Sequence, residues 1–229
     1  MRAADDAEPH LTPAGYGEAE LVEKRSRFIG QVWRVGSEAE AGERVDSVRA
    51  RHRDARHNCW CYLLRGGARR ASDDGEPQGA AGVPMLSVFS RCGVTDVCCV
   101  VTRYFGGVLL GAGGLARAYG KAARLALDAA GVARQEMYRL MRLRCPYKVA
   151  ARLIAEAELL GGARENAAYG ADVTLDVSIP ANSADAYAAR AAELSANTAE
   201  IILVGGVYAE TQKYSDHSPC RSRQDHTGG

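Results

Sequence analysis

Apolar and polar residues alternate along the first third of the chain in a way that predicts strands before it predicts helices. Residues 19–24 and 27–35 alternate with period two and read as a strand pair. Ser37 precedes Glu38, Ala39 and Glu40, and a serine followed three residues later by glutamate is a capping box. It predicts a helix to about Arg53 with Val45 and Val48 on one face. Asn58 to Leu64 is rich in β-formers and ends at Gly66–Gly67. Residues 72–79 are a loop by composition, and Met85, Leu86, Val88 and Phe89 predict a short apolar helix ending at Arg91. Thr95 to Phe105 is a strand whose centre, Val97 to Val101, has no polar alternation, so cover on both faces is expected. Leu115, Tyr119, Ala122 and Ala126 share one face of a helix that Gly131 stops.

The second half repeats the mixture in another order. Arg134 to Cys145 reads as a strand, Tyr147 to Leu160 as an amphipathic helix, and residues 165–168 and 172–179 as two strands. Asn182 is placed to cap a helix to about Leu194, and 201–208 form a last strand. The order β-α-β-β-α-β is that of the ferredoxin-like unit. The chain is therefore expected to hold a flexible arm at 1–17, an α/β domain at 18–134, a second domain at 137–210 and a disordered tail at 211–229.

Composition narrows the classes. Of 229 residues, 47% are apolar and 25% charged, which excludes global disorder. The net charge is +1, but it is unevenly spread. Residues 18–134 carry 18 Lys and Arg against 13 Asp and Glu, and residues 137–210 carry 7 against 9. That asymmetry points to an anionic partner for the first half, or to ordinary solubility charge. Seven cysteines without a Cys-x-x-Cys pair read as buried thiols. No secretory signal and no apolar run of roughly 18 residues is present, so the cytoplasm is the expected location.

The central segment puts five glycines, Gly106, Gly107, Gly111, Gly113 and Gly114, between the apolar strand and a helix. Glycine admits close approach of a ligand, and a helix start offers unpaired N–H groups and roughly half a positive charge. Arg103 precedes this junction, and Arg117 and Lys121 follow at helical spacing on one face. The spacing is neither Walker A nor complete Rossmann, so a phosphate cradle and a turn demanded by packing stand level. Asp73, Asp74 and Glu76 lie within four residues and suit a divalent cation, general acid/base work, or a solvated turn that caps the next helix. His57 and Cys59 suggest a metal or nucleophile pair, or a structural histidine. No metal or cofactor is called for by the spacing. Arg139, Arg142 and Arg144 suit a nucleic acid or an exposed strand face equally.

Three segments, DARHNC, SDDGEPQGAAG and VVTRYFGGVLLGAGGLARAYG, together resemble the Impact/YigZ family over residues 18–130. The resemblance implies a first domain with the β-α fold of GHMP kinases, RNase PH and a ribosomal protein domain. Behind it, it implies an α+β ferredoxin-like domain resembling domain V of elongation factor G. The serines of the GHMP-kinase loop are missing here. The family's motif residues fall on His57, Asn58, Asp73, Asp74, Glu76, Arg103, Tyr104, Phe105 and Arg117. A eukaryotic relative regulates translation through a protein partner. The expectation is a binder of RNA or nucleotide phosphate linked to translation, with a ribosomal or translation-factor partner. An enzyme acting on a phosphorylated small molecule and a protein adaptor are the alternatives.

Overall fold

A computed structural model describes residues 8–214, and its packing divides the chain into a unit of His10–Arg134 and a unit of Gln135–Thr211. In the first, β2 (Gly17–Glu23), β3 (Ser26–Arg34), β6 (Val97–Tyr104), β4 (His57–Leu63) and β5 (Arg69–Ser72) form one sheet in that spatial order. Every neighbouring pair in it is antiparallel. β6 is central, and all its residues from Val97 to Arg103 are buried, as its unbroken apolar run requires.

Two layers provide that burial. Helix α1 (Glu38–Arg51) is capped by Ser37, whose hydroxyl accepts from Glu40 N at 3.2 Å. It buries Ala41, Val45 and Val48 against Tyr62, Cys98 and Val100. Helices α2 (Gly82–Cys92) and α3 (Ala112–Ala130) cover the opposite face, where Met85, Phe89, Tyr119 and Leu127 pack on Phe28, Val32, Cys59 and Val101.

The approach of α3 to the sheet depends on Gly30. A Cβ on Gly30 would lie 2.5 Å from the carbonyl oxygen of Ala122 and 3.2 Å from Ala126 Cβ. The helix backbone thus rests directly on β3, and the alanines of α3 are small for that reason.

In the second unit, β7 (Val132–Cys145), which starts three residues before it, is flanked by β9 (Val173–Pro180) and β10 (Glu200–Tyr214), with β8 (Ala163–Tyr169) outside β9. Helices α4 (Tyr147–Leu159) and α5 (Ala184–Leu194) bury Leu153, Ala157, Tyr187 and Ala191 against Leu143, Leu175, Val177 and Ile179. The spatial order β8-β9-β7-β10 is that of a ferredoxin-like sheet.

Four elements differ from the sequence reading. Residues 10–13, expected in a loose arm, form β1 (His10–Pro13); Leu11 accepts from Thr95 N at 2.8 Å and Ala14 N donates to Gly131 at 3.0 Å. These partners are over eighty residues away, and no local pattern announces them. β5 falls between the Gly66–Gly67 turn and the loop from Ser72, where the sequence reading assigns no element; it is a polar edge strand with no apolar face. Ala181–Ser183 form a single 3-10 turn before α5, so Asn182 is not its cap. β10 continues past 210 to Tyr214; the rest of the expected tail, and residues 1–7 of the arm, lie outside the described residues.

Gly30→Ala should lower stability by about 1–3 kcal/mol through overpacking. Urea unfolding should show an earlier midpoint with an unchanged m-value.

Candidate functional site

Three of the motif segments meet at one end of the first sheet. The register sets His57 on β4 opposite Arg103 on β6, and Asn58 opposite Thr102. Arg103 shares a face with Cys99 and Val101, so it points under α2 and α3 rather than toward solvent and is 6% exposed. A buried guanidinium needs a counter-charge, and Glu76 supplies it from the acidic loop at 2.7 Å. Tyr119 of α3 donates to the same carboxylate oxygen at 2.8 Å. The Arg103 guanidinium also lies 5.5 Å from the centres of both the Phe28 and Phe105 rings, and its Nε has no hydrogen-bond partner among the described residues. Burial holds the Tyr119 hydroxyl well above its ordinary pKa, so it stays a neutral donor.

The other two carboxylates of the loop are also engaged. Asp73 accepts from the backbone N–H groups of Gly79 (2.7 Å), Ala81 (2.9 Å) and Gly82 (2.9 Å), which caps the start of α2. Burial alone would raise its pKa, but these N–H bonds outweigh it and hold the carboxyl below the ordinary value. Asp74, at φ 43°, accepts from Arg49 at 2.7 Å and from Asn58 N at 2.7 Å, and its carbonyl meets His57 Nδ1 at 2.9 Å. Cys59 donates its thiol to the Asp73 carbonyl at 2.9 Å, and burial pushes that thiol up to about 12. His57 and Cys59 therefore each serve the acidic loop's backbone, and the thiol is no ready nucleophile. Among the described residues, no three His, Cys, Asp or Glu side chains gather at metal-binding distance.

The Gly-rich junction lies beside this network. Gly106 is required by packing, because a Cβ there would sit 2.0 Å from the Arg25 carbonyl carbon. Its N–H donates to Ser26 Oγ at 3.2 Å. Gly107 and Gly111 have φ of 85° and 72°. Helix α3 starts at Ala112, three residues earlier than the apolar spacing indicates, with Gly111 as N-cap and no side-chain cap. Gly113 and Gly114 form its first turn, and an Arg117 guanidinium nitrogen lies 3.7 Å from where a Gly113 Cβ would be. Arg117 thus folds back over an uncapped helix start that has no acidic residue in its first turn.

Arg117 and Lys121 do not touch the buried Arg103 network. They line a groove of about 770 Å³ between α2 and α3, together with Arg91 and Arg124. Among the described residues, none that lines it is acidic. Arg124 pairs with Asp128 at 2.7 Å, whereas Arg91, Arg117 and Lys121 are exposed and have no described ion-pair partner. Arg91 escapes the sequence reading because only the α2–α3 packing brings it to Arg117. Arg124 follows Lys121 by three residues, and that helical spacing was the available signal. Tyr119, Ser26 and Arg49 complete the network from elements whose contacts no local spacing reveals.

In the second unit two of the strand arginines are neutralised. Arg142 makes a bidentate pair with Asp176 (2.7 and 2.9 Å), and Arg144 pairs with Asp172 at 2.9 Å.

An α+β protein with a Gly-rich strand-to-helix junction above a buried Arg–Glu pair is the class these observations define. The chain belongs to the IMPACT family. Residues 24–127 match the family model of the Impact N-terminal domain. The IMPACT family member YigZ of Escherichia coli (strain K12) is 36% identical over 185 residues, spanning 79% of this chain and 91% of that protein. The IMPACT family member YvyE of Bacillus subtilis (strain 168) is 44% identical over 140 residues, 60% of this chain, and the match spans 64% of that relative's length. A solved structure described as the crystal structure of an hypothetical protein superposes with a TM-score of 0.58 at 35% identity, covering 86% of this chain and 98% of its own.

Asp73→Asn should destabilise the fold at neutral pH by removing a charged acceptor of three N–H bonds, at about 1–3 kcal/mol. Because the folded pKa is depressed, that contribution is present above the unfolded pKa and lost as pH falls through the folded one. The gap between variant and parent in thermal unfolding should close only below about pH 3.9. Glu76→Gln should cost about 3–5 kcal/mol, since it leaves a buried guanidinium unpaired, and chemical denaturation reads this directly.

Proposed function

We propose that this chain is an RNA-binding protein acting in translation control, and that it holds strand phosphates at the cationic groove between α2 and α3. The observation that carries the reading is the lining of that groove among the described residues: four cations, of which only Arg124 is paired, no carboxylate, and the uncapped start of α3 beside it. A helix start supplies N–H donors to one phosphate, and the stripe of Arg117, Lys121 and Arg124 at helical spacing continues along the strand. The excess positive charge of the first half accounts for attraction at longer range.

The carboxylates an enzyme would use are committed elsewhere. Asp73 caps a helix, Asp74 fixes Arg49 and Asn58, and Glu76 neutralises Arg103. Their engagement favours binding over catalysis. A ribosomal or messenger RNA agrees with the resemblance to a eukaryotic translation regulator and makes the ribosome a natural partner.

Fluorescence anisotropy of a labelled single-stranded RNA, measured at 50 to 200 mM salt, tests this. Binding should weaken steeply with salt, and Arg117→Ala and Lys121→Ala should each lower affinity roughly fivefold and shrink the log–log slope by about 0.7. Absence of binding at the lowest salt, or affinity indifferent to both substitutions, would contradict the proposal.

A further inference from the structure

Between β2 and β3 the chain reverses in two residues, Lys24 and Arg25, with Glu23 and Ser26 paired across the turn. Their φ angles are 45° and 66°. Positive φ at both central residues defines the type I′ hairpin, whose preferred sequence is Asn-Gly. Long side chains are disfavoured there because Cβ crowds the backbone. The chain thus keeps two cations where uncharged residues would fit with less strain. Backbone strain of this kind persists where the surroundings impose it and a function uses it.

The surroundings are the Gly-rich junction itself. Gly106 packs against the Arg25 carbonyl, and Ser26 Oγ accepts the Gly106 N–H. Lys24 lines a cleft of about 240 Å³ with Leu21 and Glu23, and the opposite wall is Leu110, Gly114, Arg117, Ala118 and Lys121. Arg117 and Lys121 therefore form a ridge shared by this cleft and the α2–α3 groove. Lys24 and Arg25 are exposed, and no described residue pairs with either. Among the described residues, Glu23 is the one carboxylate lining the cleft.

Resting on the RNA-binding reading above, we propose that the Lys24–Arg25 turn is the second cationic bank of the site, and that it holds the next phosphate of a strand anchored at Arg117 and Lys121. One phosphate sits against the first turn of α3 under Arg117. The strand then crosses the smaller cleft, and the neighbouring phosphate meets Lys24 on the far wall, with Arg25 next to it on the turn. Glu23 disfavours entry of an anion deeper along β2. A type I′ turn of lower strain would remove the charge this step needs.

The decisive variant is Lys24→Asn combined with Arg25→Gly, which installs the preferred turn and deletes both charges. Its thermal midpoint should rise, while affinity for the labelled single-stranded RNA falls about tenfold and the salt slope shrinks by about 1.4. Lys24→Gln with Arg25→Gln leaves the strain in place and should show the same loss of binding without the gain in stability. Competition with inorganic tripolyphosphate separates a strand from free phosphate: weak displacement, needing millimolar competitor, fits a strand held at both banks, and displacement at micromolar competitor overturns it. If both double variants bind RNA as the parent does while Arg117→Ala and Lys121→Ala weaken it, the second bank is wrong and the groove stands. If none of the four alters binding, the RNA reading falls together with it.

Discussion

The ion pair between Arg103 and Glu76 is the constraint on which the rest of the first unit depends. Neither charge can leave water without the other, and the cost of separating them fixes three elements at once. Arg103 belongs to the end of the central strand, Glu76 to the acidic loop, and Tyr119, which closes the pair, to α3. The loop cannot drift from the sheet, and α3 cannot slide along it, without stranding a buried charge. Asp73 and Asp74 extend the same logic outward by fixing the start of α2 and the edge of β4.

This arrangement sorts the charge of the molecule. The motif carboxylates are used inside or against backbone, while the cations of α2, α3 and the β2–β3 turn remain on the surface. The first half is therefore more basic to an approaching ligand than its composition alone suggests. In the second unit two strand arginines are matched, Arg142 by Asp176 and Arg144 by Asp172.

Much of the fold was legible because its signals are local. The apolar run of β6 announced cover on both faces, and Ser37 announced the start of α1. The ferredoxin-like order of the second half followed from alternating periods. What escaped was set by distant partners. β1 is held by Thr95 and Gly131, and β5 is an edge strand without an apolar face. The sequence named the residues that meet at the end of the first sheet but not their contacts. Arg103 reads in sequence as a ligand-facing arginine at a Gly-rich loop, yet strand parity turns it inward to Glu76. Glycine alone did not separate packing from ligand approach either; Gly106 serves packing, while a Cβ on Gly111, the N-cap of α3, would meet nothing within 4 Å.

The central claim is that an RNA strand runs along the cationic ridge of α3. Amide chemical-shift mapping of the full chain during titration with single-stranded RNA tests it most directly. The largest, saturable shifts should fall on residues 24–25, 107–121 and the α2 face around Arg91. Shifts confined to the strands carrying Arg139, Arg142 and Arg144, or none at low salt, would contradict it.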